Sequence, residues 1–236
     1  MKYININKLA GASEKSFLKI SPYPWLNLHE LVTPEGFDEL LGSLPDVSMF
    51  EKSFNLERSH GQKPHDRYEL RYSDSLILSP AWKSFIEELS SAEYGAELKR
   101  LFGVKNFNIR FQWQYSFNGC SVSPHCDSRN KIGSQIFYLN TSDNWKEEWG
   151  GQTLVLDDGG KLNCDSAPDI TQFHNKIAVR TLGNYSLLFA RTDHSWHSVG
   201  ALQSPPDVLR KIFTVIIERK PTLLNKIVVK IKSLFS

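Results

Sequence analysis

The chain has 236 residues, 40% of them hydrophobic and 23% charged, with 28 Lys and Arg against 26 Asp and Glu. That length fits one large mainly-β or mixed domain as well as two small ones, and the charge balance excludes the chain-wide basic surface that nucleic acid requires, so no nucleic-acid partner is expected. Three cysteines (Cys120, Cys126 and Cys164) are too few for a disulfide scaffold or a four-cysteine zinc site, residues 1–7 hold no signal-like apolar stretch, and no run approaches the ~20 apolar residues of a membrane span.

A soluble, cytoplasmic protein is the resulting expectation. Residues 1–104 read as helical with irregular links. Thr33-Pro34-Glu35 is a helix start: a capping hydroxyl, a proline suited to the first turn, and an acid near the positive helix end. Phe37, Leu40, Leu41 and Leu44 follow at helical spacing, and Pro45 ends the run. Ser79-Pro80 repeats the signal ahead of Trp82, Phe85, Ile86 and Leu89. A third helix covers 92–102, with Gly103 as its stop. Between them, residues 60–72 are polar and read as a long loop or poorly ordered strand, with His60, His65 and Arg67 either on a solvated loop, the favoured reading, or facing the mouth of the site.

From residue 105 the period changes. Phe107, Ile109, Phe111, Trp113 and Tyr115 alternate with Asn108, Arg110, Gln112 and Gln114, the two-residue period of a half-buried strand. Short strands follow at 132–139, 153–156, 177–181, 186–190 and 211–217, separated by Asn-, Gly- and Asp-rich turns. Many short strands without intervening helices indicate an antiparallel barrel or jelly roll over 105–220. Residues 219–236 carry five basic side chains and no acid, so the rest of the chain holds 23 basic against 26 acidic residues. Residues 221–236 read as a basic amphipathic helix. It either packs on the core or meets an anionic membrane or acidic partner.

The chemistry begins at His125-Cys126-Asp127. An imidazole and a carboxylate two residues apart project to one side of an extended backbone and can reach one metal ion. Seven His and twelve Asp give about 0.4 such pairs by chance, so the spacing alone says little. His197, 72 residues on, supplies a third ligand. His194 is its rival, but a strand over 196–199 would turn His197 and Val199 to one side. Two histidines and one carboxylate leave three coordination positions open, which suits ferrous iron with a co-substrate and O₂, whereas a three-histidine or cysteine-rich set would suit zinc better. Arg210 stands at the head of an apolar strand, where its guanidinium can project inward and grip a carboxylate through two hydrogen bonds. Cys126 should point away from its two neighbours, and Gly150-Gly151 reads as a tight turn.

Taken together, these pieces resemble the Fe(II)/2-oxoglutarate-dependent oxygenases of the prolyl 4-hydroxylase-like branch. In order they are Tyr115, His125-x-Asp127, Ile136-Phe137-Tyr138-Leu139-Asn140, Trp145, Gly150-Gly151-x-Thr153-Leu154, Ser195-Trp196-His197-Ser198-Val199 and Arg210. The resemblance covers residues 107–218, about half the chain. It implies a double-stranded β-helix of the jelly-roll, cupin-like kind, with His125, Asp127 and His197 on Fe(II). It further implies Arg210 and Tyr138 on the distal carboxylate of 2-oxoglutarate and Tyr115 near its metal-chelating end. The implied reaction is hydroxylation of a protein side chain, amino acid or small metabolite by O₂, with release of succinate and CO₂ and ascorbate as an accessory reductant. Two other readings use the same residues: a non-catalytic jelly-roll binding domain with a relic metal site, and a zinc-dependent hydrolase.

Overall fold

A computed structural model describes residues 1–220. The basic amphipathic helix expected over 221–236 lies outside the described residues. The expected helix starts form as the chemistry dictates. Helices α1 (Asn7–Ala10) and α2 (Glu14–Phe17) are short. The Thr33 hydroxyl caps α3 (Pro34–Leu41), Ser79 caps α4 (Pro80–Leu89), and Ser91 caps α5 (Ala92–Phe102), each accepting a backbone N–H of the first turn. Gly103 closes α5 with a left-handed residue at φ 63°.

The strands build two antiparallel sheets. The larger has seven: β1 (Trp25–His29), β2 (Glu51–Ser53), β3 (Arg67–Arg71), β4 (Asn108–Ser116), β6 (Lys131–Tyr138), β9 (Tyr185–Ala190) and β11 (Arg210–Glu218), ordered β1-β9-β6-β11-β4-β3-β2. The smaller holds β5 (Val122–His125), β7 (Thr153–Asp157), β8 (Asn175–Ala178) and β10 (His197–Val199), ordered β5-β10-β7-β8. This is the mainly-β jelly roll with N-terminal helices that the strand pattern indicates. Residues before 105, read as helical with irregular links, also supply three strands, because β1, β2 and β3 join the large sheet. Segment 67–71, expected as loop or poor strand, is held by β4, with Leu70 opposite Trp113 and Tyr68 opposite Tyr115.

The large sheet has two unlike faces, and side-chain alternation along three strands decides what lies on each. Phe111, Trp113 and Tyr115 of β4, Phe137 of β6, and Phe213, Val215 and Ile217 of β11 face the helices. There they form one apolar core with Trp82, Phe85 and Leu89 of α4 and Tyr94, Leu98 and Leu101 of α5. Each such side chain contributes about 1.5–3 kcal/mol on burial. The intervening residues, Gln112, Gln114, Ser134, Ile136, Ile212 and Thr214 among them, face the small sheet and line a cavity of about 550 Å³ between the two sheets. The helices therefore back the large sheet and leave its other face to the site.

Candidate metal centre

His125 ends β5 and His197 begins β10. These strands are antiparallel neighbours with the two histidines directly opposite each other. That pairing converts a separation of 72 residues into rings 4.2 Å apart. Asp127 follows in the turn after β5, where its backbone carbonyl accepts from Arg191 Nε at 3.1 Å. All three side chains are buried, and their ligand atoms lie within 4.8 Å of one another. In each histidine Nδ1 lies 3.0 Å from a backbone carbonyl, Ser123 O for His125 and Ser195 O for His197. A carbonyl only accepts, so Nδ1 carries the proton and Nε2 keeps its lone pair for a metal.

The electrostatics favour a cation. Burial lowers the pKa of both histidines, and in His125 the neighbouring His197 adds to it. Burial alone would raise that of Asp127, but Lys131 and the two histidines more than offset it, so the carboxylate stays ionised. Lys131 Nζ donates to Asp127 Oδ1 at 2.7 Å and Ser134 Oγ to Oδ2 at 3.2 Å. A carboxylate has about four lone-pair sites, so both contacts can persist while an oxygen turns to an ion. Two neutral imidazoles and one held carboxylate fit a divalent metal that keeps open positions. Lys131 and Ser134 were not among the sequence-based candidates; their only signal is their position four and seven residues after Asp127.

Arg210 lies in the same cavity and is buried. Its Nε donates to Gly151 O at 2.7 Å, its Nη2 to Thr153 Oγ1 at 3.4 Å, and it packs over the Tyr138 ring at 5.7 Å. It has no carboxylate partner among the described residues. Gly151 is required here: its φ is +88°, and a Cβ would stand 2.9 Å from Arg210 Cδ. Tyr138 sits one layer behind, with its hydroxyl donating to Thr153 Oγ1 at 2.9 Å and its pKa pushed up to about 12 by burial, against the opposing charge of Arg210. Thr153, with no role assigned from sequence, is thus the hydroxyl that both groups present to the cavity.

Tyr115 is the correction. It was expected near the metal-chelating end of the co-substrate, yet it lies on the helix face of β4. Its hydroxyl donates to Pro45 O at 3.2 Å and its ring packs on Phe50 at 4.3 Å. The pleat forbids any other arrangement once Phe111 and Trp113 are in the core, and the cavity receives Gln114 and Ser116 instead. His194 also lies apart, bound through Nδ1 to the buried Asp158 carboxylate at 2.9 Å.

His65 and Arg67, expected in solvent, line the cavity, whereas His60 stays exposed. The His65 ring packs edge-on against His125 at 4.8 Å, and its Nε2 lies 3.1 Å from Ser123 Oγ. Burial first, then the charges of Arg58 and Arg67, push its pKa down from 6.5 to about 3. The unfolded chain takes up this proton near pH 6.5 and the folded one does not. Its contribution to stability is therefore present above pH 6.5 and lost as pH falls toward 3. At pH 5 that loss is about 2 kcal/mol relative to pH 7. Urea unfolding of metal-free protein should show the parent losing about that much more than His65→Gln between these pH values; equal losses would mean a solvated His65.

No protein-family model matches the chain, and no curated protein matches it in sequence. Solved structures do match in shape. A prolyl-4-hydroxylase from Pseudomonas putida aligns over 90% of this chain and 100% of its own, with TM-score 0.62 and 12% identity. A prolyl hydroxylase from Trichoplax adhaerens, in complex with a hypoxia inducible factor peptide fragment, aligns over 90% of both chains with TM-score 0.59 and 15% identity. The non-heme alpha ketoglutarate dependent carbocyclase SnoK from nogalamycin biosynthesis aligns over 89% of this chain and 85% of its own, with TM-score 0.60 and 12% identity. The chain has the fold of the 2-oxoglutarate and Fe(II) oxygenases, prolyl 4-hydroxylases included.

Proposed function

We propose that this protein is an Fe(II)- and 2-oxoglutarate-dependent dioxygenase that hydroxylates a protein side chain, an amino acid or a small metabolite. The observation that carries the proposal is one cavity holding both a buried His125–Asp127–His197 cluster and a buried guanidinium, Arg210, with no acidic partner among the described residues. Ferrous iron bound with 2-oxoglutarate and O₂ supplies the oxidising chemistry, which releases succinate and CO₂. The chain's own residues do the rest. His125, Asp127 and His197, whose ligand atoms converge at the cavity wall, would hold the ion. Arg210, aimed by Gly151 O and Thr153, pairs with the distal carboxylate of the co-substrate and fixes its orientation. Ile136, Phe189, Ile212 and Ile216 wall the cavity with apolar surface and limit water.

The likeness in fold to enzymes of this chemistry supports the reading. A zinc hydrolase on the same scaffold is not favoured, because it needs a general base. Glu69, a buried acid of the cavity wall, is clamped between Arg67 and Arg71, whose charges outweigh burial and keep it acidic. A relic binding domain is not favoured either, since it has no use for three converging metal ligands beside an uncompensated arginine.

Anaerobic Fe(II) titration tests the site. One ion should bind per chain, His197→Ala should lose nearly all binding, and His194→Ala should retain it, because His194 is engaged with Asp158. The reverse order would overturn the ligand assignment.

A further inference from the structure

The cavity wall carries a second arginine without an acid. Six cations line the cavity against three carboxylates, and their pairings are specific. Arg67 and Arg71 share Glu69, Arg110 pairs with Glu218, and Lys131 pairs with Asp127. Arg210 and Arg58 remain without a carboxylate partner among the described residues. Arg58 donates only to a neutral group, the Gln62 amide oxygen, from Nε at 3.3 Å and Nη2 at 3.1 Å.

Arg58 is half-buried and stands on the side of the cavity where His65 packs on His125. It lines one cavity with His65, His125, Asp127 and His197. It joins that wall from the segment between β2 and β3, whereas Arg210 joins it from the head of β11. A guanidinium left partly desolvated with one neutral partner is costly unless an anion completes it. Gln62, itself buried, donates its Nε2 to Ser166 O at 3.2 Å, which turns its oxygen toward Arg58 and fixes the guanidinium in place.

We propose that the substrate is a small anionic molecule, bearing a carboxylate or phosphate, and that Arg58 binds this anion while the rest of the molecule lies over the metal centre. This rests on the co-substrate reading, in which Arg210 is already taken by 2-oxoglutarate. The cavity volume of about 550 Å³ falls in the range of small-molecule sites. A metal ion and a doubly charged co-substrate cancel, so the excess positive charge of the wall persists when both are bound, and a substrate of opposite sign complements it. The proposal separates this chain from hydroxylases of neutral peptide side chains.

The test uses the simplest anions as probes. Full-length protein is loaded with Zn(II) as an inert ion and excess 2-oxoglutarate, and binding of acetate, inorganic phosphate and neutral acetamide is read by saturation-transfer and line-width NMR. Acetate or phosphate should bind and acetamide should not. Arg58→Gln should weaken the anion by about tenfold or more, and Arg58→Lys by less, with the melting temperature near that of the parent. The stronger of the two anions tells carboxylate from phosphate. Equal anion binding in parent and Arg58→Gln, or equal binding of acetate and acetamide, overturns the proposal. The 2-oxoglutarate signal in the same tubes tests the underlying reading separately. If 2-oxoglutarate fails to bind while acetate still depends on Arg58, the co-substrate assignment falls and the anion site stands. If Arg58→Gln abolishes 2-oxoglutarate binding itself, Arg58 is a co-substrate residue and the substrate proposal falls.

Discussion

Replacing Asp127 with alanine should weaken Fe(II) binding by roughly one hundred- to several thousand-fold and abolish hydroxylation. The site loses its only anionic protein ligand, and the loss is compounded by Lys131. In the parent the ammonium is neutralised by the carboxylate at 2.7 Å. In Asp127→Ala it is left half-buried and unpaired beside the two histidines, where it repels a doubly charged ion. Breaking a buried ion pair from one side costs about 3–5 kcal/mol, which sets the size of the expected effect. The double variant Asp127→Ala/Lys131→Met should recover part of the affinity, because it removes the uncompensated charge. Equilibrium dialysis under anaerobic conditions reads both. Parental iron occupancy in Asp127→Ala would mean that the triad is not the metal site.

Arg210 gives the second large effect, on the other ligand. Its guanidinium is the buried cation at the end of the cavity formed by β11 and the Gly150-Gly151 turn, and the co-substrate carboxylate is its proposed partner. Removing it leaves that carboxylate desolvated and unpaired, at about 2–5 kcal/mol, or roughly 30- to several-thousand-fold in 2-oxoglutarate affinity. Arg210→Lys should recover only part, since it keeps the charge but cannot donate to Gly151 O and the carboxylate in one planar fork. Arg210 makes no contact with the triad, so iron binding should stay near parental in both variants. Calorimetric titration of 2-oxoglutarate into metal-loaded protein separates these outcomes. Unchanged affinity in Arg210→Ala would remove Arg210 from the co-substrate site.

The triad was legible because its signal is local and directional. Two residues of spacing on an extended backbone turn His125 and Asp127 together, and the same parity turns His197 and Val199 into the cavity. The strands were legible because aromatic and β-branched residues alternate with polar ones. That alternation also held the answer for Tyr115: it shares the phase of Phe111 and Trp113, and Arg110, Gln112 and Gln114 hold the cavity phase. Its expected place came from its offset to His125, and the offset misled where the pleat did not.

Arg58 was illegible, and the cavity position of His65 and Arg67 stood only as the less favoured of two readings, for a different reason. They lie in or beside a polar segment whose local chemistry is that of a solvated loop. Only the pairing of β3 with β4, a contact between distant parts of the chain, carries that segment over the cavity. The same holds for Glu69, a buried carboxylate made tolerable by arginines on both sides. Nothing in a charged Arg-Tyr-Glu-Leu-Arg string marks its central acid as interior.

The most direct measurement is the fate of 2-oxoglutarate itself. Purified protein supplied with Fe(II), O₂, 2-oxoglutarate and ascorbate, the two-electron reductant that takes the second oxygen atom to water, and no further substrate, should form succinate and CO₂ in equal amounts. The turnover should be slow in the parent, absent in Asp127→Ala, and restored toward parental rates in Arg210→Ala only at far higher 2-oxoglutarate. Protein that holds iron and 2-oxoglutarate yet forms no succinate would contradict the assignment of this cavity as a dioxygenase site.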